Sequence, residues 1–394
     1  MRTRVGIEAM GVAVPRRYIS IEDLAAARGV DPAKYTQGLG AREMAIAEPG
    51  EDTVALAARA GKRALDAAGN PRLGMLVVGT ETGVDHSKPV ASFVHGLLEL
   101  PSEMRVFDAQ HACYGGTAGV MAAVEWIASG AAAGRAALVI CSDVARYGMH
   151  TAGEPTQGAG AVAMVIAENP AMLELDVGIS GAASTHVHDF WRPIGQREAR
   201  VDGHYSMQCY TEALATAYGG WKTRAIAREL VRGDEITSDQ LARICYHVPF
   251  CKMAKKAHAA LRASDGVEGD DPASYRAQVE PSLWACARVG NIYTGSLYLA
   301  LLGALDTDAD VLATKRIGLF SYGSGCTSEF FSGVVGHRAA EMTAKAKLGE
   351  VLADRERITI DEYERIMTLV TPIEDLHGAF RFTGVDDHRR QYTR

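Results

Sequence analysis

MRVFDAQHACYGGTAGVMAAVEWIA, residues 104–128, changes character at its middle. Met104 to Ala109 reads as a buried strand and Tyr114 to Ala128 as an almost uncharged helix, so a strand-to-helix junction is predicted around Cys113. A thiol at a helix start meets free N–H groups and the positive end of the macrodipole, which favour thiolate over thiol. Gly115 and Gly116 leave room for a thioester to approach the backbone, and the local N–H groups are placed to hold a developing oxyanion. A buried, inert cysteine is the plainer alternative.

Outward from this junction, apolar strands alternate with Ala-rich helices, the pattern of an α/β protein with largely buried sheets. Thr53 to Ala68 reads as an amphipathic helix, and Leu73 to Gly79, Ala136 to Ser142, Ala159 to Ala167 and Leu173 to Ile179 as strands. A polar, aromatic stretch from Asp189 to Tyr210 and an amphipathic helical segment to about Leu230 follow. Strand and helix then alternate again through Arg243–His247, Asn291–Leu305 and Arg316–Tyr322. Asp265 to Pro272 reads as an acidic surface loop and Thr343 to Asp361 as a charged helical region. With 394 residues the chain is long enough for two domains or two fused halves, divided here into 1–169 and 170–394.

Composition narrows the function classes. A net charge of -7 does not suggest nucleic acid as a partner, and no apolar run approaches a membrane span. The N-terminus lacks the pattern of a secretory signal, so a cytoplasmic protein is expected. Seven cysteines without C-x-x-C spacing argue against a disulfide framework and a structural zinc site.

Polar residues stand where strands stop. Glu81 follows Leu-Val-Val-Gly-Thr, Asp143 follows Val-Ile-Cys-Ser, and His247 follows Ile-Cys-Tyr. Ligands gather beyond the carboxyl ends of strands in open α/β sheets, so these groups are expected to converge on Cys113. Singly, such a carboxylate is more often a helix cap or a surface charge, and such a histidine more often a structural residue. Together they permit acyl transfer to Cys113, proton abstraction by Glu81 and polarisation of a carbonyl by His247. Glu81 would need burial to raise its pKa for work near neutrality.

Longer stretches carry a family resemblance. ACYGGTAG around Cys113, GTETGVDHSKP around Glu81, GEPTQGAGAVAMVIA from Gly153, HDFWRP from His188, YHVPFCKMAKKA around His247, RVGNIYTGSLYLALL around Asn291 and LFSYGSG from Leu319 resemble the 3-hydroxy-3-methylglutaryl-CoA synthase family in its bacterial form. The resemblance implies a thiolase-like fold, two similar αβ halves in a layered αβαβα arrangement, and a homodimer. It implies condensation of acetyl-CoA with acetoacetyl-CoA and water, with no metal or redox cofactor and CoA thioesters as substrates.

Carried over by motif, Cys113 is the acetylated nucleophile, Glu81 the general base and acid, and His247 the residue that polarises the acceptor ketone. Asn291 takes a substrate-binding position, and the backbone N–H of Ser324 joins that of Cys113 in the oxyanion site. Asp143, Tyr147, Asp189 and Phe190 fall where the family lines the acetyl pocket. Lys252 and Lys256 stand where CoA phosphates are neutralised, although a solvated basic helix face explains them nearly as well. His111 receives no catalytic part, His186 and His188 are read as pocket neighbours rather than metal ligands, and Cys326 as a packing residue. The alternatives are a carrier-protein-dependent relative acting in polyketide β-branching, a thiolase or decarboxylating ketosynthase that has no need of Glu81, and a non-catalytic scaffold.

Overall fold

The computed structural model describes residues 3–196, 198–369 and 379–394. Its main sheet has nine strands: β1 (Val5–Ala13), β2 (Leu73–Gly79), β3 (Arg105–Ala109), β4 (Ala136–Ala145), β5 (Gly158–Glu168), β6 (Leu173–Ser184), β7 (Arg243–Tyr246), β8 (Arg316–Gly323) and β9 (Thr327–Val335). They lie in the order β7-β8-β9-β6-β1-β5-β4-β2-β3. Parallel pairs occupy both flanks, β3–β2–β4 on one and β7–β8 on the other. Antiparallel pairs fill the middle, and the two sides join where Gly6 faces Glu174 and Ile7 faces Leu173.

The longest helices on this sheet among the described residues are α1 (Thr53–Ala67), α2 (Gly115–Ala128), α3 (Gly203–Ala227), α4 (Lys252–Ser264) and α5 (Ser296–Leu312). Side chains alternate across a strand, and here the alternation sorts the layers. Leu76, Val78, Leu138 and Ile140 pack in one cluster with Val54, Leu56 and Leu65 of α1. Val77, Val139 and Cys141 face the other way, into the cluster holding Val120, Ala123 and Val124 of α2. On β8 the same division recurs: the ring of Phe320 lies 5.2 Å from that of Tyr210 on α3, whereas Ser321 accepts at 2.8 Å from Thr117 on α2. Thr117 also meets Tyr298 of α5 at 2.9 Å. The α2–α5 layer is therefore covered by sheet on both sides, with α1 and α3 outermost. Among the described residues no helix is long and apolar enough to cross a membrane.

Three sequence expectations change. β3 is an edge strand rather than a buried one, and Phe107 is 37% exposed. The helical region expected over Thr343–Asp361 breaks into Ala339–Ala346 and Leu348–Ala353 at Lys347, whose left-handed φ of 53° ends the first helix, and a short strand follows at Glu356–Arg357. Asp265 does not belong to an acidic surface: its buried carboxylate accepts from Tyr218, Lys222 and the Ser238 N–H at 2.7 Å each. Asp271, six residues on, caps the helix that starts at Pro272.

Candidate active site

The end of β2 and the start of α2 touch backbone to backbone. A Cβ on Gly79 would lie 2.3 Å from the Gly116 Cα, so only glycine permits the approach. Ala112, with φ 38°, turns the chain sharply just before Cys113, which sits one residue ahead of the Tyr114 cap of α2. The result sets the Cys113 thiol 3.3 Å from the Glu81 Oε1 that accepts its hydrogen.

Asp143 fixes the loop that carries Glu81. One of its oxygens accepts from the hydroxyls of Thr80 and Thr82 at 2.8 and 2.7 Å and from the N–H groups of Glu81 and Thr82 at 2.9 and 3.1 Å. The other accepts from the Thr294 hydroxyl at 2.6 Å and its N–H at 3.2 Å. Arg192 adds a hydrogen bond to the Glu81 carbonyl.

Electrostatics then separate the acid from the base. Burial, followed by the charge of Asp143, pushes the Glu81 carboxyl up to about 8. The Cys113 thiol is also pushed well above the ordinary thiol range, by burial first and then by Glu81. This corrects the expectation of a resting thiolate. A helix dipole contributes up to about 2 kcal/mol, and desolvation beside two carboxylates outweighs it.

His247 follows β7 directly. Its N–H donates to the Phe320 carbonyl at 2.7 Å, and its own carbonyl accepts from Tyr210 at 2.8 Å. Burial lowers the imidazole to about 3, so the ring is neutral at any working pH. Its Nδ1 is buried with no partner among the described residues.

Cys113, His247, Asn291, Ser324, Tyr147 and Phe190 line one cavity of about 330 Å³. Asn291 Oδ1 is held by the Tyr293 N–H at 2.9 Å and the Ser296 hydroxyl at 3.0 Å, and its amide also bonds Tyr147. Two of the expected pocket residues are not on the cavity wall. The donors just described consume Asp143. Asp189, fully buried, accepts from Tyr322 at 2.7 Å and the Gly325 N–H at 2.9 Å, bracing the Ser324 turn instead. Lys252 and Lys256 are exposed on α4 and also off the wall, although the Lys252 N–H binds the carbonyl of Leu39, a lining residue.

Sequence reasoning missed Thr80, Thr82, Thr294, Arg192 and Tyr293. All lie inside the quoted motifs, but their partners are distant in the chain. Cys326 is buried, and no cluster of three metal-ligating side chains occurs among the described residues.

The hydroxymethylglutaryl-coenzyme A synthase N-terminal model matches residues 1–171, and the corresponding C-terminal model matches 173–274 and 269–393. The chain belongs to the hydroxymethylglutaryl-CoA synthase family. It is 37% identical to the hydroxymethylglutaryl-CoA synthase of Enterococcus faecalis, over 94% of each chain. The polyketide biosynthesis 3-hydroxy-3-methylglutaryl-ACP synthase PksG of Bacillus subtilis is 34% identical over 91% of this chain and 87% of that protein. A solved structure of MvaS in complex with 3-hydroxy-3-methylglutaryl coenzyme A has 60% identity and a TM-score of 0.97, covering 100% of this chain and 99% of that one. Like other hydroxymethylglutaryl-CoA synthases, the chain is an acyl-transferring condensing enzyme with the thiolase-like α/β fold.

Proposed function

We propose that this chain joins acetyl-CoA to acetoacetyl-CoA and, with water, releases 3-hydroxy-3-methylglutaryl-CoA and CoA. The observation that carries the residue roles is the Cys113–Glu81 contact at 3.3 Å, with the carboxyl held near 8. The Cys113 sulfur attacks the acetyl thioester as Glu81 takes its proton, and the proton leaves with the CoA thiol. Glu81, ionised again, removes a methyl proton from the acetyl group, the resulting carbanion bonds the carbon of the acceptor ketone as its C=O π bond opens, and Glu81 returns the proton to the oxygen that becomes the 3-hydroxyl. A neutral His247 ring donates a hydrogen bond to that ketone oxygen, while the N–H groups of Cys113 and Ser324 serve the oxyanion. Water then cleaves the cysteinyl thioester and restores the thiol. Asn291, Tyr147 and Phe190 shape the acyl site, and Lys252 and Lys256 meet CoA phosphates at its rim.

Side chains, backbone N–H groups and water serve every step of this reading, which includes no metal or redox cofactor and puts the enzyme in the cytoplasm, in the route to mevalonate. The halves 1–169 and 170–394 are read as its two units, paired through an edge strand into a homodimer. Free CoA thioesters are favoured as donor and acceptor. The connection from β4 to β5 is compact, with Glu154 locked by Arg28 at 2.7 Å and Tyr363 at 3.1 Å, and offers no extended docking arm.

Acetyl-CoA alone should leave an acetyl group on Cys113, located by peptide mass spectrometry. Adding acetoacetyl-CoA should then give product at a kcat/KM no lower than with either substrate on an acyl carrier protein. An adduct elsewhere removes Cys113 from its role, and a marked preference for the carrier-bound donor replaces this reading with that of the polyketide relatives.

A further inference from the structure

The last residues of the chain reach the Glu81 loop through two helix starts. Arg381–Asp386 and Arg389–Thr393 pair as an antiparallel hairpin. From it Arg390 and the Tyr392 hydroxyl donate to one oxygen of Asp52, at 2.6 and 2.7 Å. Asp52 caps α1, its other oxygen accepting the Ala55 N–H at 2.9 Å. The next residue, buried Thr53, donates to the Thr82 carbonyl at 2.9 Å and meets the Thr82 hydroxyl at 3.0 Å. Thr82 adjoins Glu81.

At the other end of the same loop a helix begins, Val90–Leu97, and its Phe93 ring packs 5.6 Å from the ring of Tyr392. The first N–H groups of that helix, on Val90 and Ala91, bind Asp108 of β3 at 2.6 and 2.9 Å, close ahead of Cys113. Residues 80–89 are thus gripped at both ends by one hairpin. Arg390 lines, with Glu81, Thr82 and Arg192, a second cavity of about 590 Å³, whereas neither it nor Tyr392 lines the cavity that holds Cys113 and His247.

We propose that this C-terminal hairpin is a positioning element for the general base, setting through Asp52 and Phe93 where the Glu81 carboxylate stands relative to Cys113. The proposal rests on the role given to Glu81 above. Arg390 and Asp52 are each largely withdrawn from water, so their hydrogen bonds are of the strong, charge-assisted kind and hold α1 at a fixed height. A shift of the Thr53–Thr82 contact is passed to a carboxyl whose distance from the thiol decides the reaction. The groups facing Glu81 are Cys113, Asp143, Arg192, Tyr147 and Tyr293, and a change in the hairpin alters none of them chemically.

The test compares Arg390→Leu, Tyr392→Phe and the conservative Arg390→Lys with the unaltered chain. Solvent exchange of the acetyl methyl protons on the acetylated enzyme should fall by about 10-fold or more in Arg390→Leu, with the KM for acetyl-CoA within about 2-fold, since small misplacements of a reacting group cost rate rather than binding. The pH midpoint of that exchange should move down as water reaches Glu81, and Arg390→Lys should restore most of both. Amide hydrogen exchange should quicken in residues 53–56 and 80–82. Unchanged methyl exchange in folded Arg390→Leu overturns the proposal, as does a loss that only follows the folded fraction without a shift in pH midpoint. If the unaltered chain exchanges no methyl protons, the role of Glu81 falls, and the amide exchange judges the hairpin alone.

Discussion

Glu81 is held in an environment that resists its charge, and this has a measurable sign. Its carboxyl titrates near 4.5 when unfolded and near 8 in the fold, so the folded chain binds the proton more tightly. The stability this contributes is complete below pH 4.5 and lost as the pH rises through 8. Glu81→Gln cannot ionise and escapes that loss. Urea unfolding at pH 6 and pH 9 should therefore show the variant gaining roughly 3 kcal/mol on the parent over that interval. Acetyl methyl exchange in the parent should climb with pH and level off above about 8, because the base works only when ionised. Glu81 and His247 were legible because each follows an apolar strand, and Cys113 because small residues and an apolar helix follow it, all three inside motifs of uncommon chemistry. Asp143 and Asp189 were legible as positions but not as roles. A sequence does not say which donors surround a carboxylate, and here Thr80, Thr82, Thr294, Tyr322 and Gly325 come from several parts of the fold.

Among elements, the junction of β2 with α2 carries the greatest constraint. Gly79→Ala inserts a methyl group where the Gly116 backbone stands, and neither a strand end nor a helix start yields as a flexible side chain would. The strand must move away from the helix, taking Glu81 with it. We expect about 1–3 kcal/mol of destabilisation in thermal or urea unfolding, and a loss of condensation on the order of 10²-fold, as for a misplaced catalytic group. If a folded variant keeps its activity, the backbone contact does not set the Cys113–Glu81 distance. The strands of the sheet interior were readable from uninterrupted apolar runs such as Leu73–Gly79. β3 was misread because Arg105-Val-Phe-Asp alternates, and alternation marks one covered face without telling an edge from a centre.

For the molecule as a whole, β3 leaves an open flank at the end of a nine-stranded sheet. An edge that presents Phe107 and unpaired backbone groups invites a partner. Sedimentation equilibrium should give a dimer, and Phe107→Asp should shift it toward monomer while the far-ultraviolet circular dichroism stays constant. A parent chain that sediments as a monomer would remove the dimer from the reading. The other strand of interest is β1, which lies in the middle of the sheet although it comes first in the chain. Its partners are β5 and β6, with Val5 opposite Glu168 and Ala13 opposite Ala161. About 150 further residues must be synthesised before the first of these exists, which at ordinary elongation speeds takes roughly 8–30 s. Throughout that time VGIEAMGVA, fully buried in the finished protein apart from one half-covered glutamate, stands on the ribosome as an unpaired apolar strand. The position of one strand thus makes the nascent chain a natural client for a holding chaperone, and makes its yield in a cell sensitive to translation rate in a way that no measurement on the purified enzyme would reveal.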